Sequence, residues 1–171
     1  MAMGQHCAVL QIVGYQNSGK TTLMEKLIAK ASEEGARVAT IKHHGHGGAP
    51  ETVYRKDSQR HERAGAVIAG VEGAGTLCLN IQQASWQLEE LVELYQLFHP
   101  DMILVEGYKK ADYPKVVLIR DKEDVAYLQK LTNIICVLYW QDVDLSTFTC
   151  PAFPIRKEAL YMELLLKKVR N

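Results

Sequence analysis

Between an apolar segment and an amphipathic one, the chain carries Gly14-Tyr15-Gln16-Asn17-Ser18-Gly19-Lys20-Thr21-Thr22. No other run constrains the fold as strongly. It meets G-x-x-x-x-G-K-[ST] at every fixed position. The spacing has a chemical reason. Glycines let the backbone curl until successive N–H groups point into one concavity, where they meet the oxygens of an anion. A helix that starts directly behind such a loop adds its own unpaired N–H groups and the positive end of its dipole. Lys20 brings a mobile cation for the outer phosphates of a nucleoside triphosphate, and Thr21 a hydroxyl ligand for magnesium. The expected nucleotide-binding residues are therefore Gly14, Asn17, Ser18, Gly19, Lys20, Thr21 and Thr22. A glycine-rich turn can match this pattern by chance, so the flanking elements decide.

Those elements have the required form. Residues 8–13 are apolar and rich in β-branched side chains, the mark of a buried strand. Residues 21–34 place Leu23, Leu27, Ile28 and Ala31 at helical spacing, and Gly35 stands where a helix-ending glycine belongs. Residues 37–42 read as a second strand. Strand, glycine loop, helix and strand make a βαβ unit with parallel strands. Residues 43–50 read as a loop, and Asp57 or Ser58 opens a short helix through Ala64. Strands at 66–71 and 76–81, joined by a turn at 72–75, suggest a hairpin. A helix over 85–98, stopped by Pro100, leads to an apolar strand at 102–105. Strands at 116–119 and 134–139 and helices at 124–131 and 155–169 complete the chain. With no internal repeat or linker, residues 1–171 are expected to form one α/β domain. The expected architecture is the three-layer P-loop NTPase fold, a mostly parallel, doubly wound sheet with helices on both faces.

Charge narrows the partners. Twenty acidic and twenty basic residues leave no net charge, so bulk electrostatics gives no reason to expect nucleic acid or an anionic membrane. The four cysteines are Cys7, Cys78, Cys136 and Cys150, too scattered for a zinc knuckle or disulfide framework. No apolar run reaches membrane-spanning length. These features point to a cytoplasmic protein.

A triphosphate site usually needs an acidic residue at the tip of a neighbouring strand. Glu106 ends the apolar run 102–105 and should lie at the carboxyl edge of the sheet, with Gly107 turning the backbone away. A water-mediated magnesium contact is its first expected role and general base for the attacking water the second, so Lys20 and Glu106 are the candidate catalytic residues. His43, His44 and His46 invite a zinc reading, but three ligands are needed and no cysteine or paired carboxylate is near in sequence. Contact with phosphate, beside Lys42, suits His43 and His46 better. Arg55, Lys56, Arg60 and Arg63 either receive a phosphate or form a solvated helix face beside Asp57 and Glu62. Asp121-Lys122-Glu123-Asp124 offers part of a guanine-reading [NT]-K-x-D, but reads better as a helix start with acids near its N-terminus. Asp142 and Asp144 are further acids that could meet a guanine edge.

Taken in order, the cradle Gly14 to Thr22, Ile41-Lys42-His43 with His46, and Lys56-Asp57-Ser58 before Ala64-Gly65-Ala66 form one long pattern. It continues in Leu104-Val105-Glu106-Gly107-Tyr108-Lys109 and in Pro114-Lys115, which leads a strand ending in Arg120. In this pattern the sequence resembles the MobB family, P-loop GTP-binding proteins associated with molybdopterin guanine dinucleotide synthesis. The resemblance implies a cytosolic homodimer that binds GTP with Mg2+ and hydrolyses it weakly. It also implies a role assisting the guanylyltransferase that joins a guanine nucleotide to molybdopterin, and adds Lys109 to Lys42, His43 and His46 as candidate cofactor or phosphate contacts. A small-molecule kinase using ATP or GTP through the same cradle is the alternative, with residues 55–63 as its only candidate lid.

Overall fold

The structure is a computed structural model that describes residues 7–43 and 56–169. In chain order the elements are β1 (Ala8–Gly14), α1 (Lys20–Glu33), β2 (Val38–Lys42), α2 (Lys56–Arg63), β3 (Ile68–Gly73), β4 (Thr76–Ile81), α3 (Leu88–Gln96), β5 (Met102–Glu106), β6 (Lys115–Ile119), α4 (Lys122–Leu128), β7 (Ile134–Tyr139), β8 (Ala152–Pro154) and α5 (Glu158–Lys168). Contacts group the chain into two compact units, Met1–Gly45 with Leu88–Asn171, and His46–Gln87.

The first unit is built on a six-stranded sheet in the order β2-β5-β1-β6-β7-β8, with every neighbouring pair parallel. Alternation within its strands explains the layers. Leu10 and Ile12 of β1, Met102 and Leu104 of β5, Val116 and Leu118 of β6 and Cys136 and Leu138 of β7 share one core with α1 and α5. That core takes Leu23, Met24, Leu27 and Ala31 from α1, and Tyr161, Met162, Leu165, Leu166 and Val169 from the last helix and its end. The intervening residues face the opposite side. There Val13, Val117, Ile119 and Val137 meet Leu128 of α4, while Ile103, Val105 and Ile41 meet Leu88 and Val92 of α3. The sheet is thus doubly wound with helices on both faces, as the sequence led one to expect. From β1 the chain builds first toward β2 and β5, then outward through β6, β7 and β8. The carboxyl end of β1 lies at that switch point, the place where open α/β sheets bind ligands.

Element ends moved for identifiable reasons. The last helix starts at Glu158, because residues 152–154 form β8 against β7 and Tyr139 O takes the Ile155 N–H at 2.8 Å. That short edge strand was missed; Pro151 before it and Pro154 within it hid it. Helix α4 starts at Lys122, ahead of the expected Asp124, since Asp121 is its N-cap. Helix α3 is shorter at both ends, spanning Leu88–Gln96, and the chain turns at His99 with φ +52°.

The second unit holds α2 and the antiparallel hairpin β3–β4. Its two-residue turn, Ala74-Gly75, has φ +49° and +77°, the double positive φ that matches hairpin twist. Paired residues share a face, which places Ile68, Leu77 and Leu79 together, all about half exposed. Among the described residues no helix is long and apolar enough to cross a membrane.

Candidate functional site

Gly14 closes β1 in a position that accepts no side chain: a Cβ there would lie 2.5 Å from Ser18 Oγ and 3.0 Å from Leu118 O. Asn17 at φ +59° and Gly19 at φ +93° supply the left-handed turns that curl the loop. Gly19 is the N-cap of α1, so Lys20, Thr21 and Thr22 occupy its first turn, where backbone N–H groups have no intrahelical partner. Ser18 is fully buried, while Asn17, Thr21 and Thr22 are exposed at the loop mouth.

Glu106 reaches the same mouth from the tip of β5. Its Oε2 accepts from Thr21 Oγ1 at 3.3 Å, and its Oε1 lies 3.6 Å from Lys42 Nζ at the end of β2. The parallel register makes this meeting inevitable, since Lys42 is the Cα partner of Glu106. The Lys20 ammonium donates to Tyr15 O at 2.6 Å. Burial lowers its pKa; Glu106 opposes this, while Lys109, Lys42 and Arg120 add to it. Four cations and one carboxylate thus converge where the helix dipole is positive, a field suited to a polyphosphate.

The remaining candidates fall around this centre. His43 donates its backbone N–H to Glu106 O at 2.9 Å, and its ring lies 4.4 Å from that of Tyr108. Lys109 Nζ sits 4.3 Å over the Tyr15 ring and 5.5 Å from that of Tyr127. Gly107 has φ +101°, and a Cβ there would press on His43 Cβ at 3.0 Å. His44, His46 and Arg55 lie outside the described residues, as does the Lys56 side chain. Asp121 and Asp124 are engaged at the helix start. Asp121 accepts from the Glu123 and Asp124 N–H groups, and the nearly buried Asp124 accepts from Arg120 N at 2.8 Å. Of the four acids, Asp142 and Asp144 remain exposed, with Asp144 accepting from Ser146 N.

The oxygen donors at the mouth fit magnesium, a hard cation that takes one or two protein oxygens and keeps its waters. Thr21 Oγ1 and Glu106 Oε2 are close enough to share one ion directly or through water.

Several contacts escaped sequence reading, which named Arg120 and Lys115 only as part of the family pattern and gave them no role. Arg120 Nη1 donates to Gln16 O at 3.0 Å, and Trp140 Nε1 to Ser18 O at 2.8 Å. Under the loop after β5, Gln11 Nε2 donates to Gly107 O at 3.1 Å and Tyr108 O at 2.7 Å, while Lys115 Nζ donates to Gln11 Oε1, Ala111 O and Tyr113 O. A glutamine inside an apolar strand and a lysine opening another were the available signals.

The family model of MobB, molybdopterin guanine dinucleotide synthesis protein B, matches residues 9–140. A probable molybdopterin-guanine dinucleotide biosynthesis adapter protein of Bacillus subtilis is 49% identical over 81% of this chain and 80% of its own. The adapter protein of Escherichia coli is 31% identical over 66% of each chain. The crystal structure of Bacillus subtilis MobB superimposes with a TM-score of 0.82 at 40% identity, covering 94% of this chain and 97% of that one. The MobB homologue of Bacillus stearothermophilus gives 0.78 at 41% identity, covering 95% and 97%.

Proposed function

The chain belongs to the MobB family, and from that membership we propose that it is a GTP-binding adapter in molybdopterin guanine dinucleotide synthesis. The observation that carries the nucleotide part is the convergence of Lys20, Thr21 and Glu106 at the mouth of the glycine loop. In this reading the loop N–H groups and the first turn of α1 hold the phosphates, and Lys20 leaves Tyr15 O to meet the outer ones. Magnesium, when bound, offsets phosphate charge and is held by Thr21 and Glu106. Lys42, His43 and Lys109 line the same edge and suit phosphate or pterin oxygens of a second ligand. Hydrolysis is weak in this reading because Glu106, the carboxylate at the loop mouth, is already engaged by Thr21 and Lys42.

We take the molecule as one nucleotide-binding domain in the cytoplasm, with residues 46–87 inserted between β2 and α3. It pairs into a homodimer and meets molybdopterin or the guanylyltransferase that completes the cofactor. The apolar row Ile68, Leu77 and Leu79 supports association, since paired apolar side chains at half exposure are a liability on a lone hairpin. The kinase alternative turned on a lid at residues 55–63; α2 occupies 56–63, and no observation favours the kinase. Calorimetric titration of wild type and Lys20→Ala with a non-hydrolysable GTP analogue and magnesium tests the site. Binding should vanish in the variant, and equal affinity would remove the cradle assignment.

A further inference from the structure

The phosphate loop is held from outside by two side chains that carry no place in its motif. Arg120 stands just past β6 and Trp140 just past β7, the two strands that follow β1 across the sheet. Arg120 Nη1 binds Gln16 O, and its guanidinium is fixed in turn by Asp124, at 3.6 Å from Nε, and by Asp121, at 3.9 Å from Nη2. Trp140 is anchored by its backbone N–H on Ile119 O at 3.0 Å and by its indole N–H on Ser18 O at 2.8 Å. The indole packs so closely that a Cβ on Gly19 would lie 3.2 Å from Cζ2.

A planar trans peptide points its C=O and its N–H in opposite directions. There is no cis peptide among the described residues. The oxygen of Gln16 shares its peptide with the Asn17 N–H, and the oxygen of Ser18 shares its peptide with the Gly19 N–H. Drawing those two oxygens outward turns the two N–H groups inward, toward the anion cavity. We propose that Trp140 and Arg120 are positioning residues that preorganise the Asn17 and Gly19 N–H groups for phosphate, Trp140 by its indole N–H and Arg120 by its guanidinium. The proposal rests on the phosphate-cradle reading and adds to it the source of the cradle's rigidity. Preorganised donors bind without first ordering the loop, so they raise affinity without touching the ligand. Their effect is blind to the base, because peptide N–H groups read only phosphate oxygens.

Trp140→Phe keeps an aromatic ring beside Gly19 and removes the donor without changing charge. Titration with magnesium and a non-hydrolysable GTP analogue, the matching ATP analogue and inorganic tripolyphosphate should show one common loss, roughly five- to tenfold, the weight of one hydrogen bond. In the free protein the Gly19 amide nitrogen resonance should shift when Ser18 O loses its partner, while resonances of α5 stay in place. Affinity within twofold of wild type for all three ligands would overturn the proposal. So would a loss confined to the two nucleotides, which would make the indole a base contact. An unmoved Gly19 resonance would overturn it as well, even if the wild type bound none of the three ligands and the cradle reading itself fell.

Discussion

Lys115→Met is the most demanding test of how the site is supported. The Lys115 side chain is fully enclosed, and its ammonium gives hydrogen bonds of 3.1, 2.5 and 3.0 Å to Gln11 Oε1, Ala111 O and Tyr113 O. Methionine fills much the same space but leaves those three acceptors bare. Three charged hydrogen bonds at about 1.5–3 kcal/mol each would suggest a loss of ~5–9 kcal/mol. Relief of a desolvated cation returns several kcal/mol of that, so the expected net destabilisation is about 2–4 kcal/mol. For a chain of this size each kcal/mol moves the melting temperature by about 2–4 °C, which places the drop at about 4–16 °C. The pH dependence adds a second reading. Burial holds the Lys115 pKa below the usual lysine range, against a smaller pull from Asp112. Between that lowered folded value and the unfolded value of about 10.4, the unfolded chain binds more protons, so wild-type stability gains with rising pH. Methionine does not titrate, and the gap between the two proteins should widen on the alkaline side. Gln11→Leu should be non-additive with it, since both side chains hold one loop. Thermal melts of the three variants across neutral to alkaline pH measure all of this. A melting temperature within a degree of wild type, or a gap that narrows with pH, would refute the reasoning.

Glu106→Gln keeps shape and removes charge; its magnesium affinity should fall roughly 10- to 100-fold with slower hydrolysis, while nucleotide affinity changes less. Hydrolysis at the wild-type rate across a magnesium titration would reduce Glu106 to a strand-end residue. GTP with magnesium at a hundred times its dissociation constant should add about 2.7 kcal/mol, a melting shift of roughly five to ten degrees. ATP bound ten times more weakly should give about 1.4 kcal/mol less, and equal shifts would remove the GTP preference. Sedimentation at micromolar concentration should show twice the chain mass, and a persistent monomer with and without nucleotide would contradict the homodimer.

The sheet and its glycine loop were legible because their signals are local. Ala8 to Val13, the glycine loop and the leucines of α1 are contiguous, and burial on both faces forces the strands to be apolar. Glu106 was legible for the same reason, as the first charge after an apolar run. What stayed hidden depends on register between distant segments. Trp140 meets Ser18 across 122 positions and Lys115 meets Gln11 across 104. Nothing near Trp140 in sequence says that its indole will find a carbonyl of the loop. Gln11 interrupts an apolar strand, and the loop it anchors gives the reason. The acids of residues 121–124 show the opposite case. A partial base-reading motif competed with helix capping, and capping prevailed because Asp121 sits where the first N–H groups of α4 need an acceptor.

The position of β1 has a consequence for how the protein is made. It leaves the ribosome before both of its neighbours, β5 and β6, whose pairing with it reaches Glu106 and Leu118. At roughly 5–20 residues per second, an apolar strand ending in a glycine loop waits on the order of ten seconds for both partners. Until β5 emerges neither edge of β1 has its native neighbour, and the glycine loop lacks Arg120 and Trp140 as well. Nascent chains that have not yet reached Leu118 should therefore present β1 to whatever holds unfolded segments, and the glycine loop should take shape only after its distant supports emerge.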